Sequence, residues 1–165
     1  MTAITLKGKQ VNTLGNLPDI GERAKDFTVV GTDLNEKRLS DYKGKNVILN
    51  IFPSVNTGVC ATSVKRFNAE AGKYKNTVIL NISKDLPFAL SQFSGNEGIT
   101  HGEMLSDFRT EFGRDYGVQM GDGPLKGLLS RAVIIIDSEG KVVYKEQVPE
   151  IGQEPDYQRA LNALG

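Results

Sequence analysis

Apolar residues along the chain fall into two rhythms. Val47 to Phe52 (VILNIF) and Thr77 to Ser83 (TVILNIS) are continuous, β-branched runs, the pattern of strands buried on both faces. Ala132 to Asp137 (AVIIID) and Lys141 to Val148 (KVVYKEQV) are separated by Ser-Glu-Gly, a loop that predicts a β-hairpin. An earlier strand is predicted in DFTVVGTD. ITLKGKQVNTLG, near the start, reads as a small amphipathic hairpin turning at Gly8.

Between the strands the apolar spacing changes to three and four. Val64, Phe67, Ala71 and Tyr74 predict a helix over Ala61 to Tyr74, with Cys60 at or near its start. Pro87 opens a second helix in PFALSQFSG, which Gly95 is expected to stop. Phe108, Phe112 and Tyr116 mark a third, weakened by Gly113 in its middle. A short terminal helix, DYQRALNAL, follows Pro155. Strand, helix, strand, helix, helix and hairpin predict an α/β fold with a parallel βαβ unit and an antiparallel edge. Nothing repeats and no Pro/Gly/Ser-rich linker divides the sequence, so one domain over residues 1–165 is expected.

Charge and composition narrow the function classes. Twenty basic and twenty acidic residues cancel, which argues against a nucleic-acid partner. The N-terminus carries no apolar segment behind a basic start, so no secretory leader is read. The longest apolar stretches, about six residues, fall far below the ~20 that span a bilayer. A cytoplasmic protein without a membrane partner is expected. One cysteine cannot form an internal disulfide. With a single histidine, His101, no metal site is expected. His101 as a general base would give a Cys/His hydrolase, but an ordinary surface histidine is the simpler reading. GDGPLKG (121–127) fits neither phosphate-loop spacing and reads as a loop.

The informative stretch is IFPSVNTGVC, which ends at Cys60. A free cysteine is most often a small buried hydrophobe. Here it follows a strand, a proline and a polar loop, and stands where a helix begins. Unpaired backbone N–H groups and the positive end of the helix dipole favour a thiolate there. Thr57, three residues earlier, can cap the helix and place its hydroxyl beside the sulfur. Pro53 rigidifies the loop and shields the thiolate, or simply ends the strand. Average residue usage makes this Pro and Thr spacing before one cysteine about a 0.3% coincidence.

NIFPSVNTGVCATSVKRFN, ISKDLPFA and SRAVIIID resemble the peroxiredoxins, and most closely the bacterial thiol peroxidase subfamily. The likeness runs essentially the whole length. It implies a thioredoxin-like fold, with a central mixed β-sheet flanked by helices and an N-terminal β-hairpin. It also implies reduction of hydrogen peroxide and organic hydroperoxides, no cofactor, thioredoxin as reductant and a homodimer. By resemblance Cys60 is the peroxidatic cysteine, Pro53 and Thr57 its motif partners, and Arg131 the active-site arginine. Without the resemblance, Arg131 reads as a surface charge flanking a strand.

The sequence departs from the subfamily at one place. Relatives carry a second, resolving cysteine in the helix after DLPFA, where this chain has Ser94. Either the protein is a natural one-cysteine form or the residue was changed, and the retained surroundings favour the second. Serine cannot condense with a sulfenic acid, so recycling by thioredoxin is expected to be blocked while the peroxide step survives. The rival reading is a non-catalytic redox sensor or chaperone-like module using Cys60 as a switch.

Overall fold

The computed structural model describes residues 1–164. Gly165, the last residue of the predicted domain, and the side chain of Ala71, named in the first predicted helix, lie outside the described residues. Strands β1 (Ala3–Leu6) and β2 (Lys9–Asn12) form a separate antiparallel hairpin. Its turn holds Lys7 at φ 52° and Gly8 at φ 82°, the left-handed pair that two-residue hairpin loops require.

Seven further strands make one mixed sheet. They are β3 (Thr28–Gly31), β4 (Glu36–Arg38), β5 (Asn46–Ile51), β6 (Thr77–Ser83), β7 (Gly102–Ser106), β8 (Ala132–Ile136) and β9 (Val142–Gln147). Their spatial order is β4-β3-β7-β6-β5-β8-β9. β5, β6 and β7 run parallel, and the outer strands join antiparallel. This is the thioredoxin-like arrangement that the sequence implies.

Alternation along the central strands sorts the core into two layers. Val47, Leu49 and Ile51 of β5 pack with Phe27, Phe112, Tyr116 and Leu129 on one face. Ile48 of β5 and Ile79 of β6 face Phe67 of α1 (Gly58–Ala71) and Ala160 and Leu161 of α4 (Tyr157–Asn162). Each fully buried aliphatic side chain there contributes about 1.5–3 kcal/mol, which is why these runs dominated the sequence pattern.

Several predicted boundaries need correction. Helix α1 starts at Gly58 and ends at Ala71, with Gly72 as its C-cap. Tyr74 therefore lies beyond it, though the ring still packs against the Phe67 layer. Helix α2 (Pro87–Glu97) runs through Gly95 and stops at Gly98, whose φ of 63° is left-handed. A glycine merely weakens a helix; the left-handed residue ends it. The third helix shrinks to one turn, α3 (Phe112–Asp115). Phe108 stands outside it and is exposed, while Phe27 meets Phe112 and Tyr116 edge-on at 4.8 and 5.5 Å. β4 and β7 escaped sequence analysis. β7 offers only Met104 and Leu105 as apolar residues, too few to show a period.

The hairpin is clamped to the end of β9. Thr5 N–H donates to Pro149 O at 2.8 Å and Ile151 N–H to Thr5 O at 2.9 Å. Glu150 closes the clamp by accepting from Gly152 N–H at 2.8 Å, Gly8 N–H at 2.9 Å and the Thr5 hydroxyl at 3.0 Å. These donors, the two backbone N–H groups foremost, lower its pKa from 4.5 to about 2. A depressed carboxyl stabilises the folded form above its unfolded pKa and loses that contribution as pH falls through the folded value. The clamp is therefore expected to loosen between pH 4.5 and about 2. Protection of the Gly8 and Gly152 amides, taken relative to their intrinsic exchange rates, should fall over that window in the parent protein and be lost at neutral pH in Glu150→Ala. Exchange that ignores both changes would contradict the clamp.

Candidate active site

Parallel strands β5, β6 and β7 release their chains at the same edge of the sheet, and the candidate residues gather there. After β5 the chain passes through buried Phe52 and Pro53 into a loop that reaches α1 at Gly58. Thr57 is the N-cap, in extended conformation, and its hydroxyl oxygen accepts the Cys60 N–H at 3.3 Å. The same hydroxyl donates to Ser54 O at 3.3 Å. Cys60 thus sits in the first turn of α1, as its spacing from Thr57 predicted.

Its thiol is fully enclosed, with 0% exposure. Phe52, Val55, Val64, Leu90 and Met104 surround it, drawn from the loop, α1, α2 and β7. Arg131 approaches from the other side. Because β8 pairs antiparallel with β5, with Ala132 opposite Ile51, the residue before β8 lies beside the end of β5. Arg131 is not the surface charge that its sequence neighbourhood indicated, for it is 3% exposed. Its Nη2 donates to Cys60 Sγ at 3.1 Å and its Nε to Ile151 O at 2.7 Å. Nη1 is buried and has no hydrogen-bond partner among the described residues. A buried donor left unpaired costs about 1–3 kcal/mol, so this atom marks where an acceptor would be welcome.

The remaining candidates separate. Ser94 lies on α2, its hydroxyl 3.5 Å from Ile99 O, on a different helix from Cys60. His101 is exposed, and its ring faces Gly72. Gly72 caps the far end of α1, about 18 Å along the axis from Cys60 at 1.5 Å per residue. No Cys/His pair exists, which removes the hydrolase reading. Residues 121–127 form a loop tied to β2 through Asp122, which accepts from Asn12 N–H and Nδ2 at 2.7 and 2.9 Å. Among the described residues, no three of His, Cys, Asp and Glu gather as a metal ion would require.

Sequence reasoning missed the polar groups that hold this edge together. Asn50 and Asn81 stand opposite one another on β5 and β6. Asn50 Nδ2 donates to Asn81 Oδ1 at 2.9 Å and to Ser63 Oγ at 3.4 Å, and Ser63 donates to Cys60 O at 2.9 Å. The signal was present as an asparagine at the same place in two otherwise apolar runs, VILNI and VILNI. Asp85, just before α2, was also passed over, because one acidic residue in a turn has no pattern of its own.

Comparison with known proteins shows the family. Residues 19–161 match the redoxin family. The chain is similar to a thiol peroxidase of Mycobacterium bovis, 51% identical over 100% of this chain and 99% of that protein. A thiol peroxidase of Corynebacterium glutamicum is 49% identical over 99% of each. Among solved structures, a peroxiredoxin-like protein from Aquifex aeolicus superimposes with a TM-score of 0.94 at 39% identity, covering 99% of this chain and 96% of that one.

Proposed function

The chain belongs to the redoxin family and is a thiol-dependent peroxidase of the peroxiredoxin type, and from that premise we propose that Cys60 is the thiol that attacks the peroxide. The observation that supports it most is the Arg131 guanidinium, with one nitrogen on Sγ and a second buried without a partner. The Cys60 thiolate attacks the terminal oxygen of ROOH in line with the O–O bond. The S–O bond forms as the O–O bond breaks, giving Cys60 sulfenic acid and an alkoxide that takes a proton from water. Negative charge moves from sulfur to the leaving oxygen. Arg131 spans both ends of that movement, Nη2 at the sulfur and Nη1 free for an oxygen.

Thr57 supports the same step. Both its hydrogen bonds are long, at 3.3 Å, so its hydroxyl can exchange Ser54 O for a peroxide oxygen while still capping the helix. Pro53, buried behind the loop, keeps this first turn dry. Thr57→Val keeps the shape and removes both bonds. It is expected to slow the first turnover about 10²-fold, the lower range for losing one oriented donor. Stopped-flow mixing with peroxide measures this, and an unchanged rate would contradict the role given to Thr57.

Ser94 decides the fate of the sulfenic acid. With no second cysteine in the sequence, the oxidised sulfur cannot close an internal disulfide and must be reduced by a thiol from outside. We propose a small external dithiol for that partner, with thioredoxin, the reductant in the family, blocked by Ser94: the dithiol takes the oxygen as water and leaves as a disulfide. Paired homodimers in the cytoplasm are proposed likewise. Leu86, Phe88 and Phe108 support pairing, being 52%, 69% and 38% exposed where β6 and β7 end. No helix among the described residues is long and apolar enough to cross a membrane. Steady peroxide consumption with an excess of a dithiol tests the catalytic reading. Consumption that ends after one equivalent per chain, with the dithiol still present, would favour the switch reading instead.

A further inference from the structure

We infer that Asp85 is the positioning residue that latches the active-site loop over Cys60, and that its release governs how fast the oxidised sulfur meets an external thiol. The inference rests on Cys60 being the thiol oxidised by peroxide. Its starting point is a conflict in the geometry. Cys60 is fully enclosed, which suits a small peroxide and the Arg131 contact. A thiol reductant is far larger, and no second cysteine carries the oxidation to the surface. The loop 53–57 and the first turn of α1 must therefore open after each oxidation and close before the next.

The hold on that loop is concentrated on one carboxylate. Asp85 Oδ1 accepts from the Ser54 hydroxyl at 2.7 Å, and Oδ2 from Val55 N–H at 2.9 Å and the Ser83 hydroxyl at 2.7 Å. Its own N–H donates to Ser83 Oγ at 3.3 Å, and its carbonyl accepts the Ser106 hydroxyl at 2.5 Å. The carboxylate is thus fixed to the ends of β6 and β7 and grips the loop at two consecutive residues. Ser54 passes the grip on: its carbonyl accepts from Thr57 N–H and from the Thr57 hydroxyl, both at 3.3 Å. The path from Asp85 to the N-cap of Cys60's helix contains only Ser54. Hydrogen bonds to a charged acceptor are about twice as strong as neutral ones, so this latch is the strongest point on an otherwise polar loop.

Asp85→Asn keeps the shape but removes the charge and replaces one of the two accepting oxygens with an NH2 group. The loop should then open more often, and its two reactions should change in opposite directions. The peroxide step should slow about tenfold, because Thr57 and Cys60 lose their fixed relation to Arg131. Capture of the sulfenic acid by dithiothreitol, forming a mixed disulfide and water, should speed up about fivefold, because the sulfur is exposed more often. Ser83→Ala removes one donor from the carboxylate and should show the same pair of changes, smaller. It carries the test if Asp85→Asn does not fold. Leu161→Ala, on the buried face of α4, should lower thermal stability and shift neither rate. Both rates falling together in Asp85→Asn and Ser83→Ala, or neither changing, would overturn the latch. Failure of the underlying reading shows separately, as peroxide oxidation that persists in Cys60→Ser.

Discussion

Cys60→Ser is expected to lose peroxide reduction completely while keeping the fold. Serine fits the enclosed site among Phe52, Val64 and Leu90, and its hydroxyl can still accept from Arg131 Nη2, so the guanidinium is not left with a second orphaned donor. The loss is the nucleophile. Sulfur as its anion attacks the weak O–O bond, whereas a serine hydroxyl stays protonated at any pH the protein survives. With one cysteine in the sequence, no other residue can take over. Peroxide consumption should fall to the uncatalysed background, with an unchanged far-ultraviolet spectrum and a thermal midpoint close to the parent's. Residual turnover above background would move the reacting atom elsewhere.

Arg131→Lys is expected to slow the first turnover by about 10²–10³-fold, although the charge is retained. The guanidinium bonds Ile151 O through Nε and Cys60 Sγ through Nη2, while Nη1 is buried without a hydrogen-bond partner among the described residues. A lysine ammonium is a single point on a flexible stem. It can meet the carbonyl or the sulfur, and cannot hold both while offering a third donor to an oxygen. Arg131→Met, which loses the charge as well, should be slower still. Rapid mixing of reduced protein with one equivalent of peroxide isolates this step from recycling. A lysine variant reacting at the parent rate would show that charge alone suffices and that the fork plays no part.

The geometry also explains which features were readable in the sequence. β5, β6 and β8 are buried on both faces, so their composition was already decided by packing, and they stood out as unbroken runs. Cys60 and Thr57 were readable because a helix cap fixes a local spacing: the N-cap oxygen meets the third N–H, three residues on. Arg131 was not, because its role depends on the antiparallel register of β8 with β5 and on a carbonyl at Ile151, contacts remote in sequence. The resemblance supplied it where the pattern did not. β7 was hidden because a strand covered by α2 on one face and short in length needs only two apolar residues. Asp85 and the Asn50–Asn81 pair were hidden because polar groups that satisfy each other across strands leave no periodic trace.

The most direct test of Cys60 as the reacting thiol tracks the oxygen atom. Reduced protein is mixed with one equivalent of hydrogen peroxide, quenched within a second, and weighed intact. The parent should gain the mass of one oxygen, located at Cys60 by fragmentation and removed again by a dithiol, and Cys60→Ser should gain nothing. Oxygen found on a methionine instead, or peroxide consumed with no change in mass at Cys60, would contradict the claim that this thiol is where the peroxide reacts.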